Sequence, residues 1–310
     1  MNIRIAVLDL GTNTFHLQIT EIGKGVFRTL YKEKLAVQIG KHGISKGIIT
    51  AEGEKRAIDA LIYFKSIAER FHVKTYKAIA TSAFRNAKNG SEIAALIYDQ
   101  TGIPVEIIDG EREAELIYKG ITCCISEMEE SHMVVDIGGG SVEFIIGENS
   151  KIKWKKSIEI GGQRLMDKFH QEEPIAMSKV FELEQYLDEQ LLQVKEAIEI
   201  YKPKQFIGSS GSFDTLDEIY RKKMNHGFDI EAVMEDFLPV SEFEKIYRDL
   251  LIKTKEERLQ VPGMIPLRVE MIVVASVLIR KIISFMKVNE IIVSTCSLKD
   301  GVAKQELELI

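Results

Sequence analysis

The chain has 310 residues, 45% of them hydrophobic and 28% charged, with a net charge of −6. That length supports two domains with separate cores, the hydrophobic share is ordinary for a globular protein, and the negative balance argues against a nucleic-acid binder. The start, MNIRIAVLDLG, enters a strand pattern without a small-residue cleavage site, and the late apolar run Met271–Ile279 is cut by Arg280-Lys281 before it could span a bilayer. No membrane segment is therefore expected.

Taken in order, Ile3–Leu10 reads as a buried strand, and Phe15–Glu21 pairs with it across a Gly11–Thr14 turn. Val26–Ile39 alternates enough to continue the sheet. A helix is predicted over Ala51–Phe71, where Ile58, Leu61, Ile62, Ile67 and Phe71 keep mostly to one stripe. Thr75–Ala80 is the next strand and leads into Thr81-Ser82-Ala83-Phe84-Arg85-Asn86. Arg85 stands just past a strand end, where ligands gather in open α/β sheets, and guanidinium is a bidentate partner for phosphate; the alternative is a surface ion pair. Helix Ser91–Gln100 and strand Pro104–Ile108 precede Asp109-Gly110-Glu111-Arg112-Glu113-Ala114-Glu115, an acidic helix start. Acids there complement the helix dipole; alternatively one of the glutamates serves as a general base, and the pattern does not choose between the readings. A linker is expected at Ser126–Ser131.

The second half repeats the plan. Strands are predicted at Met133–Ile137, Val142–Gly147 and Ile152–Ile158, punctuation at Gly161–Leu165, and one long helix over Ser178–Tyr201. Strand Lys204–Gly208 enters Ser209-Ser210-Gly211-Ser212, and Asn225–Val240 is expected to be loop-like. Helix Arg268–Met286 is apolar on most faces, and Glu290–Ser294 is the last strand, followed by Leu298-Lys299-Asp300-Gly301. An internal repeat supports the division. LDLGTNTFHLQI from Leu8 matches VDIGGGSVEFII from Val135, 127 residues on, and Ala78–Ala83 matches Phe206–Gly211 at an offset of 128. Two segments at nearly one spacing indicate two similar halves rather than a solenoid. The boundary is placed so that 1–127 and 128–310 are two α/β domains.

The chemistry concentrates in Asp136-Ile137-Gly138-Gly139-Gly140-Ser141-Val142-Glu143. A glycine turn between strands lets backbone N–H groups converge on phosphate oxygens, and Asp136 at the strand end can hold a water or a metal. The alternative is a tight hairpin with solvated acids. Lys151–Lys156 and Arg221-Lys222-Lys223 read as solvated faces. Cys123, Cys124 and Cys296 show neither metal-ligand nor redox spacing and are expected to be small buried thiols in a reducing cytosol; the six histidines give no metal site.

Asp9–Leu17, Ala80–Ala87, Gly110 with Glu113-Ala114, Asp136–Glu143, Gly162–Leu165 and Leu298–Gly301 together resemble the exopolyphosphatase / guanosine pentaphosphate phosphohydrolase (Ppx/GppA) family. The resemblance implies two actin-like (ribonuclease H-like) α/β domains around an interdomain cleft and a dimer of the kind common in the family; the cysteine usage and the N-terminal pattern point to a cytoplasmic location. It implies Glu113 as catalytic base, with Asp136 and Glu143 holding the attacking water or Mg²⁺. Asn13, Thr14, Arg85, Gly138, Gly139, Gly140, Ser141 and the loop Gly208, Ser209, Ser210, Gly211, Ser212 would bind phosphates. The implied activity is exopolyphosphatase on inorganic polyphosphate. Guanosine pentaphosphate (pppGpp) hydrolysis is the alternative, and a non-catalytic alarmone sensor or an ATP-dependent phosphotransferase is further off. The chain departs from the family where Glu115 and Gln38 stand in place of common arginines and Val269-Glu270-Met271 replaces Ala-Asp-Val, leaving fewer cations along the implied substrate path.

Overall fold

Nearly continuous apolar residues make Ile3–Leu10 (β1) a strand that must be paired on both edges. In the computed structural model, which describes residues 3–23, 25–125, 128–224 and 235–309, both edges are filled. Phe15–Gly23 (β2) returns antiparallel to β1, and Val26–Leu35 (β3) pairs antiparallel with β2. The crossover Ala51–Arg70 (α1) starts on Thr50, whose hydroxyl accepts from the Gly53 N–H. Its buried face, including Ala57, Leu61, Phe64 and Ala68, covers the sheet. The chain then lays Thr75–Ala80 (β4) parallel to β1. Ser82–Asn86 (α2) and Gly90–Thr101 (α3) lead to Val105–Ile107 (β5), parallel to β4, and to Gly110–Ile121 (α4). The sheet order is β3-β2-β1-β4-β5.

The same logic builds a second sheet. His132–Ile137 (β6), Val142–Glu148 (β7) and Lys151–Ile158 (β8) form an antiparallel run. Gly162–Phe169 (α5), Met177–Gln190 (α6) and Leu192–Tyr201 (α7) cross over to Gln205–Ser209 (β9), parallel to β6. Gly211–Lys223 (α8), Glu235–Pro239 (β10), Val240–Ile252 (α9), Lys255–Leu259 (α10), Ile272–Phe285 (α11), Glu290–Ser294 (β11) and Leu298–Glu308 (α12) follow. The order β10-β11-β9-β6-β7-β8 contains the first sheet's plan, β8-β7-β6-β9-β11, with one antiparallel strand added at the edge. The repeat read from the sequence is thus a repeat of sheets.

Several elements differ from the sequence reading. Residues 235–239 form an edge strand rather than loop, because Phe237 and its neighbours pair with β11; 225–234 lie outside the described residues, as do 126 and 127 of the expected linker. The single helix over Ser178–Tyr201 is two, interrupted at Leu191, whose φ of −95° and ψ of 10° leave the helical range. Gly161–Leu165 opens the helix α5. No helix among the described residues is long and apolar enough to cross a membrane.

The chain divides into two compact units, one of Met1–Cys123, Gly138–Gly140 and Leu298–Ile310, the other of Cys124–Ile137 and Ser141–Ser297. The sequence boundary places the end of the chain in the second half; packing assigns it to the first. Helix α12 lies on α4 at a point where Gly301 has no room for a side chain, since a Cβ there would overlap the Leu116 carbonyl. Buried Gln18 Nε2 donates to Asp300 Oδ1 (3.1 Å), and Lys77 pairs with Glu306 (3.0 Å). Gly301→Val is expected to cost about 1–3 kcal/mol of stability by overpacking, measured by urea unfolding.

In the second unit Asp217 on α8 is buried beside Asp236, and its carboxyl is pushed up to about 7 by desolvation first and by the Asp236 charge second. Arg221 lies 3.0 Å from Asp217 and opposes the shift, but its guanidinium is held most closely by Asp236. Folding therefore favours protonated Asp217. Its contribution is intact below about pH 4, and stability is lost as pH rises from there to about 7. Asp217→Asn should remove this dependence. In denaturant unfolding it should gain on the wild type by about 2–4 kcal/mol between pH 4 and pH 8, because each tenfold change in proton affinity is worth about 1.4 kcal/mol.

Candidate functional site

In the first unit the chain leaves β1 into a turn closed by Gly11 N–H to the Thr14 carbonyl (3.2 Å). The segment after β3 clamps this turn. Gln38 N–H donates to Asn13 O (2.8 Å) and Gly40 N–H to Thr12 O (3.0 Å). Thr12, Asn13 and Thr14 are all buried, and Thr14 Oγ1 has no hydrogen-bond partner among the described residues. A buried hydroxyl left this way is costly unless something polar meets it.

The glycine run of the β6–β7 turn belongs to this unit. A Cβ on Gly139 would stand 2.7 Å from Asn13 Nδ2, and one on Gly140 would stand 2.6 Å from Thr12 Oγ1 and 2.8 Å from Ser82 Cβ. Only glycine permits that approach. Ser82 opens α2, and one turn later Arg85 projects from it. Arg85 Nη1 donates to Glu113 Oε2 at 2.9 Å and to the Ile108 carbonyl at 3.1 Å. The pair is a partly shielded one rather than the surface pair considered from sequence, with side chains 17% and 9% exposed.

Structure also separates the three glutamates of α4. Glu111 is exposed, and Glu115 is half-exposed and paired with Arg112 (3.0 Å), whereas Glu113 is buried. Asp109 caps the helix by accepting from the Arg112 N–H (2.7 Å), which fixes the first turn on which Glu113 stands. Asn13, Thr14, Arg85, Glu113 and Gly138–Gly140 thus share one compact unit.

The second unit holds the others. Asp136 and Glu143 are cross-strand partners on β6 and β7, and both are buried. Asp136 Oδ2 accepts from Ser209 Oγ (2.8 Å), and Glu143 Oε1 accepts from Ser157 Oγ (2.7 Å). Ser141 and Ser212 are buried as well. Ser210 has φ 78° and donates from its hydroxyl to the Ile137 carbonyl (2.8 Å), so this residue holds the β9–α8 loop against β6. At Gly208 a Cβ would overlap the Phe213 ring, so packing already requires glycine there.

Sequence reasoning missed Arg268. It is buried, its guanidinium covers the Cα of Gly211, and its Nε has no hydrogen-bond partner among the described residues. Burial pulls it below the ordinary guanidinium range, while the charges of Asp214 and Asp136 act in the opposite sense. The available signal was a lone cation at the head of an apolar run.

Comparison with known proteins fits this geometry. The model of the Ppx/GppA phosphatase family matches residues 18–309. The chain belongs to the Ppx/GppA phosphatase family. It is a hydrolase with the two-sheet α/β fold of that family. An exopolyphosphatase from Cytophaga hutchinsonii shares 42% identity over 99% of this chain and 98% of its own, with a TM-score of 0.96. Exopolyphosphatase 2 of Mycobacterium tuberculosis is 25% identical over 97% of each chain. The Aquifex aeolicus family member, at 24% identity and TM-score 0.81, shares the fold.

Since the glycine run sets the approach of the β6–β7 turn to Thr12 and Ser82, Gly140→Ala should lower phosphate release roughly 10²-fold by displacing it. Circular dichroism is expected to show an unchanged fold.

Proposed function

We propose that this hydrolase removes terminal orthophosphate from inorganic polyphosphate, with Glu113 as general base. The observation that carries the reading is the buried Glu113 carboxylate, held by Arg85 Nη1 in the same unit as the Thr12–Thr14 turn and the glycine run. Phosphoryl transfer asks for positioning and charge neutralisation more than for covalent chemistry. Glu113 takes a proton from water, the water oxygen bonds to the terminal phosphorus, and the bridging P–O bond breaks with its electrons leaving on the shortened chain. Arg85 fixes the base and supplies positive charge beside it. Backbone N–H groups of Gly138–Gly140, with Asn13 and Thr14, would bind phosphate oxygens. Ser141 and the Gly208–Ser212 loop of the second unit are assigned the same role.

Mg²⁺ is part of the proposal. Asp136 and Glu143 are hard oxygen donors, each oriented by a serine hydroxyl, and Mg²⁺ is ordinarily held by one or two carboxylates together with substrate phosphates. The described residues contain no group of three or more acidic, histidine or cysteine side chains placed for a metal, so these two carboxylates are the proposed protein ligands. The ion would neutralise charge on the transferring phosphoryl group.

Similarity to exopolyphosphatases of two other organisms supports polyphosphate as substrate. Pairing of Glu115 with Arg112, and glutamine at 38, thin the cations that a long polyanion needs, which favours short chains or pppGpp as the competing substrate. A cytoplasmic location and a homodimer complete the proposal, the second open to light scattering.

Orthophosphate release from short polyphosphate, long polyphosphate, pppGpp and ATP, with Mg²⁺, tests the substrate. Release confined to pppGpp would replace the exopolyphosphatase reading, and substrate binding without release anywhere would leave an alarmone sensor. Glu113→Gln should lower kcat by about 10²–10⁴-fold while substrate still binds; unchanged turnover would remove Glu113 as the base.

A further inference from the structure

Cys124 and Cys296 form a disulfide across 172 residues, Cα to Cα 6.3 Å, in place of the isolated thiols expected from their spacing. Its two ends occupy singular places in the chain. Cys124 is the first residue of the second unit, and Cys296 stands two residues before the chain leaves it for α12. The bond therefore ties the point of entry into that unit to the point of exit.

Cys296 also touches the candidate site. Ser209 Oγ donates to Asp136 Oδ2 at 2.8 Å and has the Cys296 carbonyl as a second acceptor at 3.3 Å. One hydroxyl proton serves one acceptor at a time, and the shorter contact is the charge-assisted one to the carboxylate. The Cys296 carbonyl closes the other side of Ser209, limiting its rotamers. The Cys296 N–H in turn donates to Ser294 Oγ at 3.2 Å, and that hydroxyl has the Cys296 carbonyl as an acceptor at 3.2 Å, so the loop is also tied to the end of β11. Neighbouring Cys123 is poorly suited to exchange with the bond. Its thiol donates to the Lys119 carbonyl (3.2 Å), and burial raises its pKa, keeping it protonated.

We propose that the Cys124–Cys296 disulfide is a redox latch on Asp136, acting through the Cys296 carbonyl and Ser209. Closed, it holds the 295–297 loop against Ser209 and keeps the Ser209–Asp136 bond in place. Opening takes two electrons and two protons from a dithiol reductant, which becomes a disulfide as Cys124 and Cys296 become thiols. The loop is then released, Ser209 gains rotamer freedom, and its hydrogen bond to Asp136 is loosened. The consequence for turnover rests on the proposed role of Asp136; the latch itself does not.

The test uses the full chain, oxidised or treated with dithiothreitol. Alkylation followed by mass spectrometry is expected to find one modifiable thiol, Cys123, before reduction and three after it. Hydrogen exchange should accelerate about ten-fold on reduction at 294–298 and 207–211 but not at 75–80. Phosphate release, at a temperature where both forms stay folded, should fall several-fold on reduction in the wild type and in Cys123→Ser. Cys124→Ser and Cys296→Ser should match the reduced wild type and ignore reductant. Three modifiable thiols in protein kept oxidising, or exchange at 207–211 that reduction leaves unmoved, would overturn the latch. Faster exchange there with unchanged phosphate release would overturn the role of Asp136 and leave the latch standing.

Discussion

The arrangement of the candidate site depends on a steric constraint: at Gly139 and Gly140 the chain runs so close to Thr12, Asn13 and Ser82 that no side chain fits. The β6–β7 turn is thereby committed to the first unit although its strands belong to the second. Bare backbone at such a turn presents N–H groups as anion ligands without a lysine or arginine for every oxygen. The same absence of side chains that permits the approach leaves the backbone there uncovered.

That economy bears on the electrostatics. For a protein of net charge −6 to bind a polyanion, its positive character would have to be local. Among the described residues cations at depth are few, and each has nearby acids. Arg85 meets Glu113, and Arg268 sits in the field of Asp214 and Asp136. Buried Arg258 makes a two-pronged contact with Glu173, at 2.6 and 2.9 Å. Arg258 is structural, joining the loop before α6 to the Lys253 and Val269 carbonyls. Arg85 on α2 orients the Glu113 carboxylate, and Arg268 covers the Cα of Gly211 at the start of α8.

Much of this was legible in the sequence for identifiable reasons. Apolar runs broken by glycine gave the β1–β2 and β6–β7 hairpins, and a repeat at a nearly constant offset gave two sheets of one plan. What escaped depended on tertiary contact. Glu111, Glu113 and Glu115 are alike as a helix start, and only the neighbours of α4 bury the middle one. Residues 235–239 carry charge and a proline, which reads as loop, yet an edge strand tolerates both. Cysteines 172 residues apart have no local pattern at all. Helix α12, with its short amphipathic run, gave no sign of which half it would join.

The return of α12 to the first unit orders the protein's assembly. On the ribosome, residues 3–121 emerge first, with nearly all of that unit's sheet and helices, but without the surface that covers Leu116 and Gly120 or the carboxylate that Gln18 reaches. A buried amide and the seam on α4 wait, exposed, while more than half of the chain is synthesised. The first unit to be made is thus the last to be finished, and its vulnerable interval on the way to the native state is set by the time taken to translate the second.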